Sequence, residues 1–283
     1  MIYFIQCIFI LYLTSLSAYA AIPATYSLNS DVAQNIINTI DSTTIVLINI
    51  DKTIVAPKSK MFRYSNNPYR TFIQDLTVQA KNMPVFNKTL LAFLQRRQII
   101  LVEPEWPSFI EKLKSTGALV LGLYQTMIME HELIKDSQEW HYQELKYFGV
   151  NFTDKINGKE LITLGSKRDN SLFYKGILFT GTLSKNGALI EFMKVSNIMP
   201  RKIVAFDPRI DDLKRTEYAL RVFDIEYYPI QYLAEREIAG IPNSDVVKLQ
   251  QNNLIANNQW LEDDEAEQLL LQQQAEANSI AKE

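Results

Sequence analysis

The segment Thr44-Ile45-Val46-Leu47-Ile48-Asn49-Ile50 constrains this chain more than any other, because it is apolar from Ile45 to Ile48 and closes on a polar turn. A short, mostly β-branched run with no polar alternation reads as a strand buried on both faces, the kind found inside a parallel sheet. Parallel pairing demands long crossover connections, usually helical, so this one segment already dictates much of what must follow. Such sheets place their chemistry just past the carboxyl ends of the strands. Asn49, Asp51 and Thr53 stand there and are the first candidate site residues.

The remaining sequence supplies the required alternation. Ser30-Asp31 offers an N-cap and first-turn acid for a short helix through Ile40. Helical patterns follow over 71–80 and 89–98. Pro107 to Lys114 reads as a helix stopped by Gly117, and Ala118 to Leu123 as a second buried strand. A stretch rich in Glu and aromatic residues predicts a helix over about 126–147, and Ser171 to Gly181 predicts a hairpin. A helix from Gly187 to about Ile198 ends before Pro200. Arg201 to Phe206 is a third strand, Ile210 to Phe223 a helix, and Ile225 to Pro229 a fourth strand. The pattern predicts an α/β fold, a doubly wound, Rossmann-like and mostly parallel sheet. It occupies residues 21–240, with a helical cap-like insertion at 54–116. From about Asn243 the chain is rich in Gln, Asn, Glu and Ala, and 241–283 is expected to be a polar helical or disordered tail outside the core.

With 283 residues, 47% of them hydrophobic, the chain has ample material for a core. Its formal charge of −3 and pI near 5.6 give no basic footprint, so no nucleic-acid partner is expected. Arg96-Arg97 reads as a solvated helix face, and Trp106, Trp140 and Trp260 as packing residues rather than a base-stacking platform. His131 and His141 are ten residues apart and do not form a ligand pair on a helix. Residues 1–20 hold a short apolar stretch ending in Ala18-Tyr19-Ala20-Ala21, a small-x-small pattern suited to signal peptidase, although no Lys or Arg precedes it. The expectation is an exported protein, periplasmic or secreted, cut before Ala21 and free of the membrane thereafter. An uncleaved anchor is the alternative. The one cysteine, Cys7, would leave with the leader.

Four stations in order carry a resemblance. The first is Asn49-Ile50-Asp51-Lys52-Thr53, and the second the end of the strand Leu119 to Leu123, where Tyr124 stands. Lys185 ahead of a helix is the third, since a cation beside helix N-terminal amides makes an anion site. Asp207, after the strand Lys202 to Phe206, is the fourth. The arrangement resembles the haloacid dehalogenase (HAD) superfamily over roughly residues 44–235. More narrowly, it is similar to a bacterial family of unknown function whose members mostly bear signal peptides and look like acid phosphatases in plan.

The resemblance implies roles. The first carboxylate of the motif attacks phosphorus and the second moves the leaving group's proton; here the nucleophile position is Asn49, a neutral amide, and Asp51 keeps the acid/base position. The second station is a Ser or Thr that cradles phosphoryl oxygens, a place Tyr124 crowds, with Thr126 as a substitute if the register slips. Lys185 neutralises phosphate. Magnesium would be held by Asn49, the Asp51 carbonyl, Asp207 and Asp211, Asp212 being the less favoured partner. With one carboxylate missing, it would be held weakly. The function expected is a degenerate phosphatase site, catalytically impaired, that binds a phosphorylated small molecule or a protein partner. A magnesium-dependent phosphomonoester hydrolase using Asp51 or Asp207 to activate water is one alternative, and a structural or host-interaction protein is another.

Overall fold

The computed structural model describes residues 21–63, 68–69, 71–83, 85–125, 136–238 and 240–280. The leader with Cys7, and Thr126 and His131, lie outside the described residues. Ten strands are present among them: β1 (Ala24–Thr25), β2 (Thr44–Asn49), β3 (Val55–Pro57), β4 (Ile99–Leu101), β5 (Leu119–Tyr124), β6 (Leu161–Leu164), β7 (Ser171–Tyr174), β8 (Ile177–Phe179), β9 (Lys202–Asp207) and β10 (Glu226–Tyr232). The α-helices are α1 (Asp31–Ile37), α2 (Phe72–Asn82), α3 (Val85–Arg96), α4 (Trp106–Ser115), α5 (Ser137–Tyr147), α6 (Lys185–Ser196), α7 (Ile210–Leu220), α8 (Ser244–Asn257) and α9 (Asp263–Ile280).

Eight strands form one sheet in the order β1-β10-β9-β2-β5-β8-β7-β6. Every pair from β1 to β8 is parallel, and β7 and β6 extend the edge antiparallel. β2 is buried at all six positions because both its faces are covered. Val46 and Ile48 face a core built with Ala33 and Ile36 of α1 and with Trp106, Phe109, Ile110 and Leu113 of α4. Ile45 and Leu47 face the opposite core, with Leu189 and Phe192 of α6 and Leu213 of α7. This is a doubly wound, Rossmann-like α/β sheet. The chain leaves β2 toward β5 on one side and returns through β9 on the other, so the strand order reverses beside β2. The carboxyl ends there form the crevice in which such folds place ligands.

Gly122 permits a tight contact within β5. A Cβ at this position would lie 2.5 Å from Phe152 Cε2 and 3.1 Å from Ile50 Cδ1, so any side chain would drive the loop after α5 off the sheet.

Two regions depart from the sequence expectation. α4, placed within the 54–116 insertion, packs on the main sheet through Phe109, Ile110 and Leu113. The part standing off the sheet is therefore the shorter stretch between the antiparallel pair β3 and β4, with α2 and α3 inside it. The polar tail is the second. Val247, Leu254 and Trp260 are buried in one cluster with Met61, Leu76, Leu90 and Phe93 of the insertion. Its acidic run is the means of docking: Asp263 accepts from Ser59 Oγ (2.7 Å) and Lys60 N (3.0 Å), and Glu265 pairs with Arg96 (3.1 Å). Few apolar residues suffice because Trp260 alone fills the gap between Phe93 (5.0 Å) and Phe62 (5.5 Å between ring centroids).

Candidate functional site

The end of β2 turns sharply. Ile54 N and Val55 N both donate to Ile50 O, and Lys52 takes a left-handed φ of 61°, which bends the chain and brings Asp51 out over the strand ends. Asn49 stays buried and donates its side-chain amide to the Asp51 backbone carbonyl at 2.5 Å. Two oxygens would repel at that distance, so the amide nitrogen must face the carbonyl. Thr53 is fully buried, and its hydroxyl finds no partner among the described residues.

Asn49 shares a small cavity with Lys185, Asp207 and Asp212. Ser184 caps α6 by accepting from Gly187 N, which fixes Lys185 at the first helical position with its side chain turned inward. Its ammonium is held between Asp207 Oδ2 (2.6 Å) and Asp212 Oδ2 (3.0 Å), and all three side chains are buried. Asp207 Oδ1 accepts from Arg209 N at 2.8 Å. Burial pushes the Asp207 pKa up, and the Lys185 charge opposes this. Asp211, read as the metal partner, is exposed on α7; Asp212, one residue on, faces inward. One helical position turns the side chain by about 100°, which sequence order alone does not resolve.

As arranged, the Asp51 and Asp207 oxygens read as magnesium ligands are already engaged by hydrogen-bond donors of the protein. The ion takes oxygen ligands in near-ideal octahedral geometry. Here the Asp51 carbonyl already accepts from Asn49, and both Asp207 oxygens accept N–H groups. Lys185 occupies the place of a counter-cation.

Asp51 itself faces a second, larger cavity of about 680 Å³ between the strand ends and the insertion. Its carboxylate is reachable from that space and makes no hydrogen bond among the described residues. The protein around it still strips enough hydration to raise its pKa, against the pull of Arg97, His141 and Lys185. Tyr124, at the end of β5, shares this floor. Its ring lies edge-on to His141 (4.3 Å) and Phe179 (5.9 Å), and burial together with Asp51 raises its pKa well above the ordinary value.

Arg97 and His141 were missed as site residues. Arg97 is no solvated helix face: it pairs with Glu144 at 3.1 Å and lies 4.9 Å from the Trp140 ring centroid. Burial works against its charge, but Tyr124, Glu144 and Asp51 outweigh this and raise its pKa. His141 Nδ1 lies 3.1 Å from the same Glu144 carboxylate. The spacing Trp140-His141 with Glu144 three residues on, which puts all three on adjacent helix positions, was the available signal. Above this floor the cavity wall is apolar, with Phe62, Ile73, Leu90, Phe93 and Trp260.

Over residues 26–267 the chain matches the family model described as Protein of unknown function (DUF2608). It is 41% identical over 255 residues to Uncharacterized protein RP296 of Rickettsia prowazekii (strain Madrid E), a match covering 90% of this chain and 93% of that one. The matched stretch contains Asn49, Asp51, Arg97, Tyr124, His141, Lys185 and Asp207, and the chain belongs to the DUF2608 family.

Proposed function

We propose that this is an exported protein with a HAD-like plan whose phosphoryl-transfer chemistry is lost and whose remaining role is to bind a ligand in the cavity above Asp51. One observation carries the reading: the residue at the nucleophile position is a neutral amide already engaged with the Asp51 carbonyl. An amide is a poor nucleophile toward phosphorus. Lys185 adds weight, because an ammonium shared by two carboxylates has little left to offer a phosphate. A concave cavity of this size with a polar floor favours a small-molecule ligand over the protein partner that the sequence equally allowed. Export is proposed on the leader pattern, and the family match begins at residue 26, downstream of it. No helix among the described residues is long and apolar enough to cross a membrane.

A second reading has its own observation. A carboxyl with a raised pKa facing a cavity can give and take a proton, so Asp51 suits a hydrolase that activates water directly. A phosphatase screen of the purified mature chain, with and without magnesium and beside Asp51→Asn, decides between them. No turnover above background supports binding; magnesium-dependent turnover that vanishes in Asp51→Asn establishes the hydrolase instead.

A further inference from the structure

The floor of the large cavity carries two opposite charges that do not meet. Asp51 and Arg97 both line it and sense each other electrostatically, yet no ion pair joins them. The Asp51 carboxylate makes no hydrogen bond or ion pair among the described residues. Arg97 spends one N–H on Glu144 and lays its plane near Trp140, and its Nε and second terminal nitrogen have no hydrogen-bond acceptor among the described residues. Asp51 is exposed to the cavity with a free carboxylate, and Arg97 keeps N–H groups beyond its pair with Glu144, so both remain available to a ligand. Such a ligand must present a cation to Asp51 and a planar anion, for which a guanidinium fork is suited, to Arg97. The Tyr124 ring lies between strand end and helix within electrostatic reach of both charges.

The wall above sets the rest of the ligand. Phe62, Phe93 and Trp260 form a continuous aromatic surface, with Ile73 and Leu90 beside it. A volume of about 680 Å³ is in the range of small-molecule sites.

We propose that this cavity binds a small zwitterion with an apolar body, of the class of free aromatic or branched amino acids and their dipeptides. The ammonium meets Asp51, the carboxylate meets Arg97, and the side chain lies against the Phe93–Trp260 wall. This rests on the reading of the cavity as a ligand site and names the ligand class.

The test is calorimetry and thermal shift on the full mature chain with L-phenylalanine and phenylalanyl-leucine. The matched probes are the N-acetyl dipeptide, phenethylamine and phenyl phosphate. The zwitterions are expected to bind, with at least a tenfold loss on either acetylation or removal of the carboxylate. Asp51→Asn, nearly isosteric, should erase the preference for the free amine, and Arg97→Met the preference for the carboxylate. Should Arg97→Met fail to fold, the Asp51→Asn comparison and quenching of tryptophan fluorescence by bound dipeptide carry the test. Binding of phenyl phosphate in preference to the zwitterions overturns this inference and leaves the ligand-binding reading intact. Equal binding of phenethylamine, or binding of none of the probes, also overturns it. Turnover of phenyl phosphate by the unaltered chain overturns the proposed function instead.

Discussion

Asn49 gives its side-chain amide to the backbone carbonyl of Asp51, two residues ahead, at 2.5 Å. This contact closes the turn after β2 on itself and occupies the oxygen that a cation bound there would need.

Asn49→Asp replaces a donor with an acceptor facing that carbonyl. The variant is expected to lose roughly 1–3 kcal/mol in metal-free buffer, the cost of an unmade buried hydrogen bond. Magnesium should restore part of this loss, because the added carboxylate is a hard oxygen ligand. Calorimetric titration and melting with and without chelator check both. Magnesium binding should improve more than catalysis, and Asn49→Asp with Tyr124→Thr should be the better phosphatase. Equal rates for the single and double variants would show that Tyr124 does not obstruct.

Lys185→Met should be among the most damaging single changes. Asp212 keeps the exposed Arg209 (3.4 Å) and Arg215 (3.3 Å), but Asp207 is left buried without its cation, and removing one partner of a buried ion pair costs about 3–5 kcal/mol. Urea unfolding measures it. A loss below about 1 kcal/mol, the scale of exposed pairs, would mean that solvent reaches the cluster.

Glu139 ties α5, the helix bearing Trp140, His141 and Glu144, to the hairpin of β7 and β8. It accepts from the Tyr174 hydroxyl and pairs with Lys175 at 3.0 Å. These bonds, Tyr174 foremost, lower its pKa from 4.5 to about 2. A lowered folded pKa means stability that is present above pH 4.5 and lost as pH falls toward 2. The wild-type advantage over Glu139→Gln should therefore be full near neutrality and shrink steadily across that window. Solvent screening keeps it smaller than the shift alone implies, since the side chain is partly exposed. Denaturant titrations at a series of pH values check the slope, and a constant difference would exclude the assignment.

Trp260→Ala should detach the carboxyl-terminal helices from the insertion. The ring is fully buried and its Nε1 donates to Glu262 at 2.9 Å, so truncation is expected to cost about 3–5 kcal/mol. Limited proteolysis should then cut first in the 58–98 stretch or after residue 243. An unchanged cleavage pattern would show that the tail does not brace the cavity wall.

The central sheet was legible because burial on both faces leaves a local mark: Ile45 to Ile48, Leu119 to Leu123 and Ile203 to Phe206 are continuous apolar runs. The helices between them follow from their caps and from the need for crossovers. β1, β3, β4 and β6 were not legible, since strands of two to four residues are set by pairing partners far away in the chain.

Residue type along short spans was enough to read the doubly wound sheet and the neutral side chain at position 49. The sequence also put Asn49, Lys185 and Asp207 at element ends, where folds of this kind gather side chains. The folded chain adds that Asp212 rather than Asp211 meets Lys185, that Arg97 pairs with Glu144 over Trp140 and lines one cavity with Asp51 and Tyr124, and that an acidic, Gln-rich tail becomes one wall of that cavity. Each of these turns on which way a side chain faces across contacts tens to hundreds of residues apart. No local pattern encodes that geometry, because it is set by packing against surfaces that exist only once the sheet has formed.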